Sequence, residues 1–312
     1  MEQLNLTAVT PNISSSPGLL PSPSMDSRGV LPAVVLSLCF LLGVPGNIAV
    51  IILKPNFQQL SSISQSLMLN LAVSDLLCLL TLPLWIYSLL YNWIFGLVAC
   101  KILTYLLYCS VCGSLLTVVL LSFQRYILVV HQKFCNQTKI RILLILLWLV
   151  VMILSIPALV VQQVTPDEQW VRCRYQFSSR SQKVTVLLTE TLVGFFTFLI
   201  VAFSYIQLYR KVNRGAFSNN PCTSKLVTSI IFVFFVLWIP HHTINILSLA
   251  ATALQNDRLE KQFKSLRYTF LALTFINSCL NPLLYCAEKL KCWGRNSGAS
   301  QSQSNTTITN AV

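Results

Sequence analysis

The chain alternates long apolar runs with short polar breaks. Seven runs reach the roughly 20 residues that a helix needs to cross a bilayer: Leu31–Leu53, Ile63–Tyr91, Leu97–Val130, Ile140–Val161, Val184–Tyr209, Lys225–Leu254 and Leu266–Ala287. Hydrocarbon offers no partner for a backbone N–H or C=O, so each run predicts an α-helix that satisfies its own backbone. The expected architecture is an all-α, seven-transmembrane helix bundle. Polar segments flank it, which gives a tail over residues 1–30, a bundle over 31–287 and a second tail over 288–312. No internal repeat divides the bundle.

Composition supports this reading. The 312 residues are 54% hydrophobic and 10% charged, whereas soluble domains carry about 25% charged residues. The first 30 residues lack a basic start and an apolar core, so the first helix is expected to act as the insertion signal. Lys and Arg are split almost evenly between the two faces, and the acids decide the orientation instead. With the N-terminus extracellular and the C-terminus cytoplasmic, the inner face holds Glu288 alone, whereas Glu2, Asp26, Asp167, Glu168, Asp257 and Glu260 fall outside. Of 11 cysteines, only Cys100 and Cys173 then lie on the outer face, where an oxidising compartment favours a disulfide. Asn5 and Asn12 head glycosylation acceptor triplets in the outer tail.

A few polar residues interrupt the helices, and an ionisable group inside a membrane is a functional candidate by default. Asp75 lies in the middle of the second run. Asn47, Ser114, Asn277, Ser278 and Asn281 occupy comparable depths on other runs. Together they describe either an oxygen-rich cavity suited to a hard cation or a polar cluster that binds helices together. Arg125 lies near one end of the third run. Pro240 and Pro282 each remove a backbone donor and predict kinks in the sixth and seventh helices.

Several motifs, taken in order, resemble the rhodopsin-like (class A) G-protein-coupled receptors. They are Gly46-Asn47, LNLAVSDLL around Asp75, Trp93-Ile94-Phe95-Gly96, Cys100, Gln124-Arg125-Tyr126, Trp148, Pro157, Tyr205, FVLWIP from Phe234 through Trp238 to Pro240, and Asn281-Pro282-Leu283-Leu284-Tyr285. The resemblance implies that Asp75 and its polar neighbours form a sodium pocket. It implies that Arg125, flanked by Gln124 and Tyr126, is a switch for a heterotrimeric G protein, with Tyr205 and Tyr285 as hydroxyl partners. Trp238 and Phe234 would lie beneath the ligand. No cofactor is expected beyond an allosteric sodium ion, and nucleic acid is not an expected partner. Arrestin and receptor kinases are expected at the Ser/Thr-rich tail, and membrane lipid at the basic inner loops. Cys292, beside Leu290 and Trp293, is a candidate palmitoylation anchor.

Absences narrow the ligand. The seventh run has no lysine for a Schiff base, and LTYLLYCSV in the third has no acid to meet an amine. Outer bases are plentiful, and Arg267 at the start of the seventh run suits a carboxylate. With Glu190, His241 and His242 it would frame a pocket for an amphipathic hydroxy acid, unless Glu190 simply pairs with Arg267 or a histidine. TETLVGFF, WIPHHTINIL and SLRYTFLALTFINSCLNPLLY are most similar to leukotriene B4 receptors. That resemblance implies a lipid-mediator ligand, leukotriene B4 or a related hydroxylated fatty acid, an inhibitory G protein, and a role in chemotaxis and inflammation. A chemoattractant peptide or another small carboxylic acid is the alternative. Thr104 stands where a pocket His or Tyr is expected, Gln162 where the fourth helix often ends in Arg, and Thr197 in place of a fifth-helix proline. No nucleophile or metal-protease motif supports an enzyme.

Overall fold

The computed structural model describes residues 26–53, 62–128, 137–167, 170–213, 221–264, 266–267, 272–273 and 275–287. The expected modification sites Asn5, Asn12 and Cys292 lie outside them. Among the described residues, a single 3-10 turn at Ser27–Gly29 leads into α1 (Val30–Ile52), followed by α2 (Ser62–Leu80), α3 (Leu82–Leu90), α4 (Gly96–Tyr126) and α5 (Gln137–Val161). A hairpin of β1 (Gln162–Asp167) and β2 (Trp170–Tyr175) comes next, then α6 (Arg180–Asn213) and α7 (Pro221–Ala253). Residues 257–264 and 275–287 are also helical. Six spans among the described residues are long and apolar enough to cross a membrane.

The second apolar run differs from its expected single helix. It breaks into α2 and α3 because Pro83 has no N–H to give the turn before it. The Thr81 hydroxyl compensates locally by donating to the Cys78 carbonyl at 2.7 Å. The hairpin is the other departure from an all-helical reading. Its antiparallel register pairs Gln162 with Tyr175, Val164 with Cys173 and Asp167 with Trp170. Alternating side chains are too few here to stand out against the apolar runs on either side.

Helix α4 is the axis of the bundle. It packs on α2, α5, α6, α7 and β1, and 61% of its spanning window is buried against 28% for α1, α5 and α6. The outer helices turn Leu38, Leu41, Leu42, Ile145, Ile153, Phe195, Phe196 and Phe203 outward. That is far more apolar surface than water tolerates, and it suits lipid. Polar side chains fix α4 against its neighbours. Asn70 donates to Thr117 Oγ1 at 2.7 Å and accepts from Trp148 Nε1 at 2.9 Å, so one amide joins α2, α4 and α5.

At the outer end, Cys100 at the start of α4 is disulfide-bonded to Cys173 of β2, with Cα atoms 5.7 Å apart. Gly96 begins α4 at φ +76°, a left-handed conformation that favours glycine, and its carbonyl accepts from Trp93 Nε1 at 2.8 Å. Further bonds hold the hairpin to the loop before α4. Trp93 N donates to Val171 O at 2.9 Å, and Val171 N donates to Asn92 Oδ1 at 2.7 Å. Arg172 reaches back to Asp26 at 2.7 Å and to the carbonyls of Ser88 and Tyr91. These contacts pin the hairpin across the mouth of the bundle.

Helices α6 and α7 meet through an aromatic stack. His242 lies on Trp238 with ring centroids 5.7 Å apart and meets Phe198 edge-on at 5.3 Å. Helix α6 is continuous, with Thr197 donating to the Val193 carbonyl at 2.8 Å where a proline would have bent it. Gly194 admits the His242 ring, because a Cβ there would overlap Cε1, Nδ1 and Nε2 of that ring. Gly194→Ala is therefore expected to lower stability by about 1–3 kcal/mol through overpacking, and adding His242→Ala is expected to restore most of it. Thermal unfolding of the purified protein in detergent measures both; a Gly194→Ala variant as stable as wild type contradicts this packing.

Candidate functional site

The polar residues of the outer half converge on Glu190. This acid projects from the middle of α6, and Arg267 Nη2 lies 2.7 Å from each of its carboxylate oxygens. Asn245 Nδ2 donates to Glu190 Oε2 at 3.0 Å, and the Tyr108 hydroxyl donates to Oε1 at 3.3 Å. His241 lies on the same network, 3.3 Å from Asn245 through Nε2. Four elements thus surround one carboxylate. Within a bilayer the ion pair is weakly screened, so each partner is the main compensation for the other.

The hairpin closes this cluster from outside. Tyr175, at the end of β2, donates to the Tyr108 hydroxyl, and the Arg267 guanidinium lies 4.9 Å from the centre of its ring. Burial pushes the Tyr175 phenol well above its usual range, so it stays a neutral donor. The disulfide partner Cys173 is two residues away on the same strand, so the covalent bond also sets where Tyr175 and Arg267 meet.

Below the ion pair lies an apolar-walled cavity of about 70 Å³ lined by residues of α4, α5, α6 and α7, among them Tyr108, Cys112, Leu115, Glu190, Trp238, His241 and His242. His241 Nδ1 and both ring nitrogens of His242 are buried without a hydrogen-bond partner. Buried polar atoms are rarely left so. These three nitrogens are positions where a guest hydroxyl gains a bond that the protein lacks. Above the pair is a larger cavity of about 670 Å³, on whose wall Arg267 also lies.

The structure brings together Arg267, Glu190, His241, His242 and Trp238, as the sequence predicts. Thr104 is buried one turn outward from Tyr108 with its Oγ1 unpaired, and it is not among the residues that line either cavity. Gln162 is bonded to Cys173 Sγ at 3.1 Å. Sequence reasoning missed Tyr108, Tyr175 and Asn245. Asn245 carried a usable signal, since His241, Asn245, Ser248 and Thr252 recur at helical spacing along one face of α7. The outer bases are less available than their count indicates. Lys101 donates to the Leu159 carbonyl at 2.9 Å, Lys183 pairs with Glu260, and Arg180 bonds the carbonyls of Thr252 and Ala253.

A second polar centre lies deeper. Asp75 is fully buried, accepting from Ser114 Oγ at 2.9 Å and from Asn281 Nδ2 at 2.6 Å. Asn47 Nδ2 donates to the carbonyls of Gly43 and Ser278, while its Oδ1 and Ser74 Oγ are buried without partners. Asn277 and Ser278 are buried beside them. One carboxylate among neutral oxygens fits a hard monovalent cation better than a transition metal. Among the described residues no cluster of His, Cys, Asp or Glu forms a metal site.

At the opposite end of α4, Arg125 is buried in the last turn and Tyr205 of α6 lies within electrostatic reach of it. Its neighbour Gln124 accepts from Ser64 Oγ of α2 at 3.1 Å. Tyr126 packs on Phe203 at 5.8 Å, and Tyr285 is buried in the core.

Comparison with known proteins agrees with this arrangement. The family model for the 7 transmembrane receptor (rhodopsin family) matches residues 46–285. Leukotriene B4 receptor 1 of Rattus norvegicus is 33% identical over 276 residues, covering 85% of this chain and 79% of the relative. C5a anaphylatoxin chemotactic receptor 1 of Danio rerio is 29% identical over 292 residues, covering 88% and 82%. C-C chemokine receptor type 7 of Homo sapiens is 27% identical over 267 residues, covering 82% and 70%. These are receptors rather than enzymes, and the spans fit a multi-pass plasma-membrane protein. The chain belongs to the rhodopsin family of seven-transmembrane receptors.

Proposed function

We propose that the protein is a receptor for a hydroxylated fatty acid, leukotriene B4 or a close relative, that signals through an inhibitory heterotrimeric G protein in chemotaxis and inflammation. The observation that carries this reading is Arg267, held by Glu190 at the top of an apolar cavity whose histidine nitrogens lack partners. A carboxylate would take the guanidinium, hydroxyls would take the histidine nitrogens, and the chain would lie against Trp238. The leukotriene B4 receptors among the relatives support the same class.

In this reading the hairpin end faces outside and Arg125 meets the G protein inside. The tails at 1–30 and 288–312 then lie outside and inside, carrying glycans on Asn5 and Asn12, a lipid anchor on Cys292, and Ser/Thr sites for receptor kinases and arrestin. Asp75, with Ser114, Asn47, Ser74 and Asn281 around it, would hold a sodium ion that stabilises the inactive bundle.

Arg267→Ala leaves Glu190 buried without its cation, so the Glu190→Gln/Arg267→Gln pair is the cleaner test. That variant is expected to reach the cell surface and to need at least about tenfold more leukotriene B4 for half-maximal G-protein activation. An unchanged dose response at equal surface expression overturns the carboxylate role, and a parallel screen of chemotactic peptides tests the alternative. Asp75→Asn is expected to abolish the thermal stabilisation that sodium gives over choline; equal stabilisation in both proteins rules out the cation site. Gln124 offers Arg125 no negative charge, so Gln124→Asp is expected to lower ligand-free signalling, and equal basal activity at equal expression refutes this.

A further inference from the structure

The cavity above the ion pair is distinct from the one below it. It opens between the start of α6, the end of α7 and the helix at 257–264, and its wall includes Arg180, Lys183, Lys264, Arg267, Asp257 and Glu260. Four cations thus face two carboxylates on a surface that lies outside the apolar spans. The N-terminus of α6 adds positive potential there, since Ser179 at its start caps Gln182 N. The wall also contains an unmet donor. Ser248 of α7 is 5% exposed and its hydroxyl has no partner, whereas Thr252, one turn on, bonds both the Ser248 carbonyl and Glu260.

We infer that this outer cavity is a second ligand site, one that takes a small organic or inorganic dianion with one charged group bonded to Ser248 and the other among the bases. Two features set the charge class. A monoanion leaves part of the basic wall uncompensated, and a neutral guest gains nothing from it. About 670 Å³ is ample for such an ion with its remaining water. Arg267 forms part of this wall while bonding Glu190 beneath, so a dianion above competes with Glu190 for the same guanidinium. Occupancy of the outer site thereby loosens the ion pair that caps the inner cavity.

The test is thermal unfolding of the full-length chain in detergent, titrated with malonate or inorganic phosphate at constant ionic strength, with malonamide as the neutral control. This readout needs no agonist, so failure of the leukotriene reading leaves it intact. The wild type is expected to show a saturable rise in unfolding temperature with malonate, with phosphate, or with both, and the stronger of the two identifies the acid group. Ser248→Ala is expected to be as stable as wild type without the anion, because the hydroxyl it removes is unpaired, and to bind about tenfold more weakly. Lys264→Gln is expected to weaken binding as well. Glu260→Gln, which removes a repelling carboxylate and frees Lys183, is expected to tighten it. A response that does not saturate, that malonamide reproduces, or that Ser248→Ala and Lys264→Gln leave unchanged overturns the proposal.

Discussion

A polar group inside a bilayer must find its partner within the protein, and α4 is where most of that demand is met. Thr104, Tyr108, Ser110, Ser114, Thr117, Ser122 and Arg125 recur along its buried faces. Some hydroxyls bond the preceding turn of α4 itself, as Ser110, Thr117 and Ser122 do. Others reach a different helix. Tyr108 serves Glu190 of α6, Ser114 serves Asp75 of α2, and Thr117 receives Asn70. Because the alternative to each bond is an orphaned group in hydrocarbon, these contacts specify how the helices are arranged more sharply than apolar packing can.

The two charged centres use this scaffold differently. Asp75 is surrounded by neutral donors and partnerless oxygens, an arrangement with room for an added positive charge. Glu190 already has its cation, and Arg267 lies between an apolar chamber and a basic vestibule. A guest acid entering either space must offer Arg267 more than Glu190 does. Selectivity therefore rests on a difference between two carboxylates, not on the strength of one contact.

Much of this was legible in the sequence because lipid imposes a simple rule. The apolar runs marked the helices to within a few residues, and isolated polar residues such as Asp75, Glu190 and Arg125 marked the sites. What stayed hidden depends on long-range geometry. Pro83 signalled a break only once the hydroxyl of Thr81 was seen to take over a carbonyl. Tyr175 reads as one aromatic in a loop until the hairpin register and the disulfide carry it to Arg267. Asn245 was visible as a polar position on α7, but its bond to Glu190 depends on how two helices meet. Thr104 matched a motif position in the sequence, yet its place on α4 is one turn away from the cavities.

The order in which the chain is made gives the Glu190–Arg267 pair one more consequence. The two residues are 77 positions apart, so the ribosome delivers Glu190 to the membrane well before the helix that carries its cation. During that interval α6 holds an acid among apolar residues with Tyr108, already synthesised on α4, as its nearest partner. Asn245 arrives next and Arg267 last. Arrival of the final span thus does more than add a seventh helix: it neutralises a charge that the half-built bundle has had to carry.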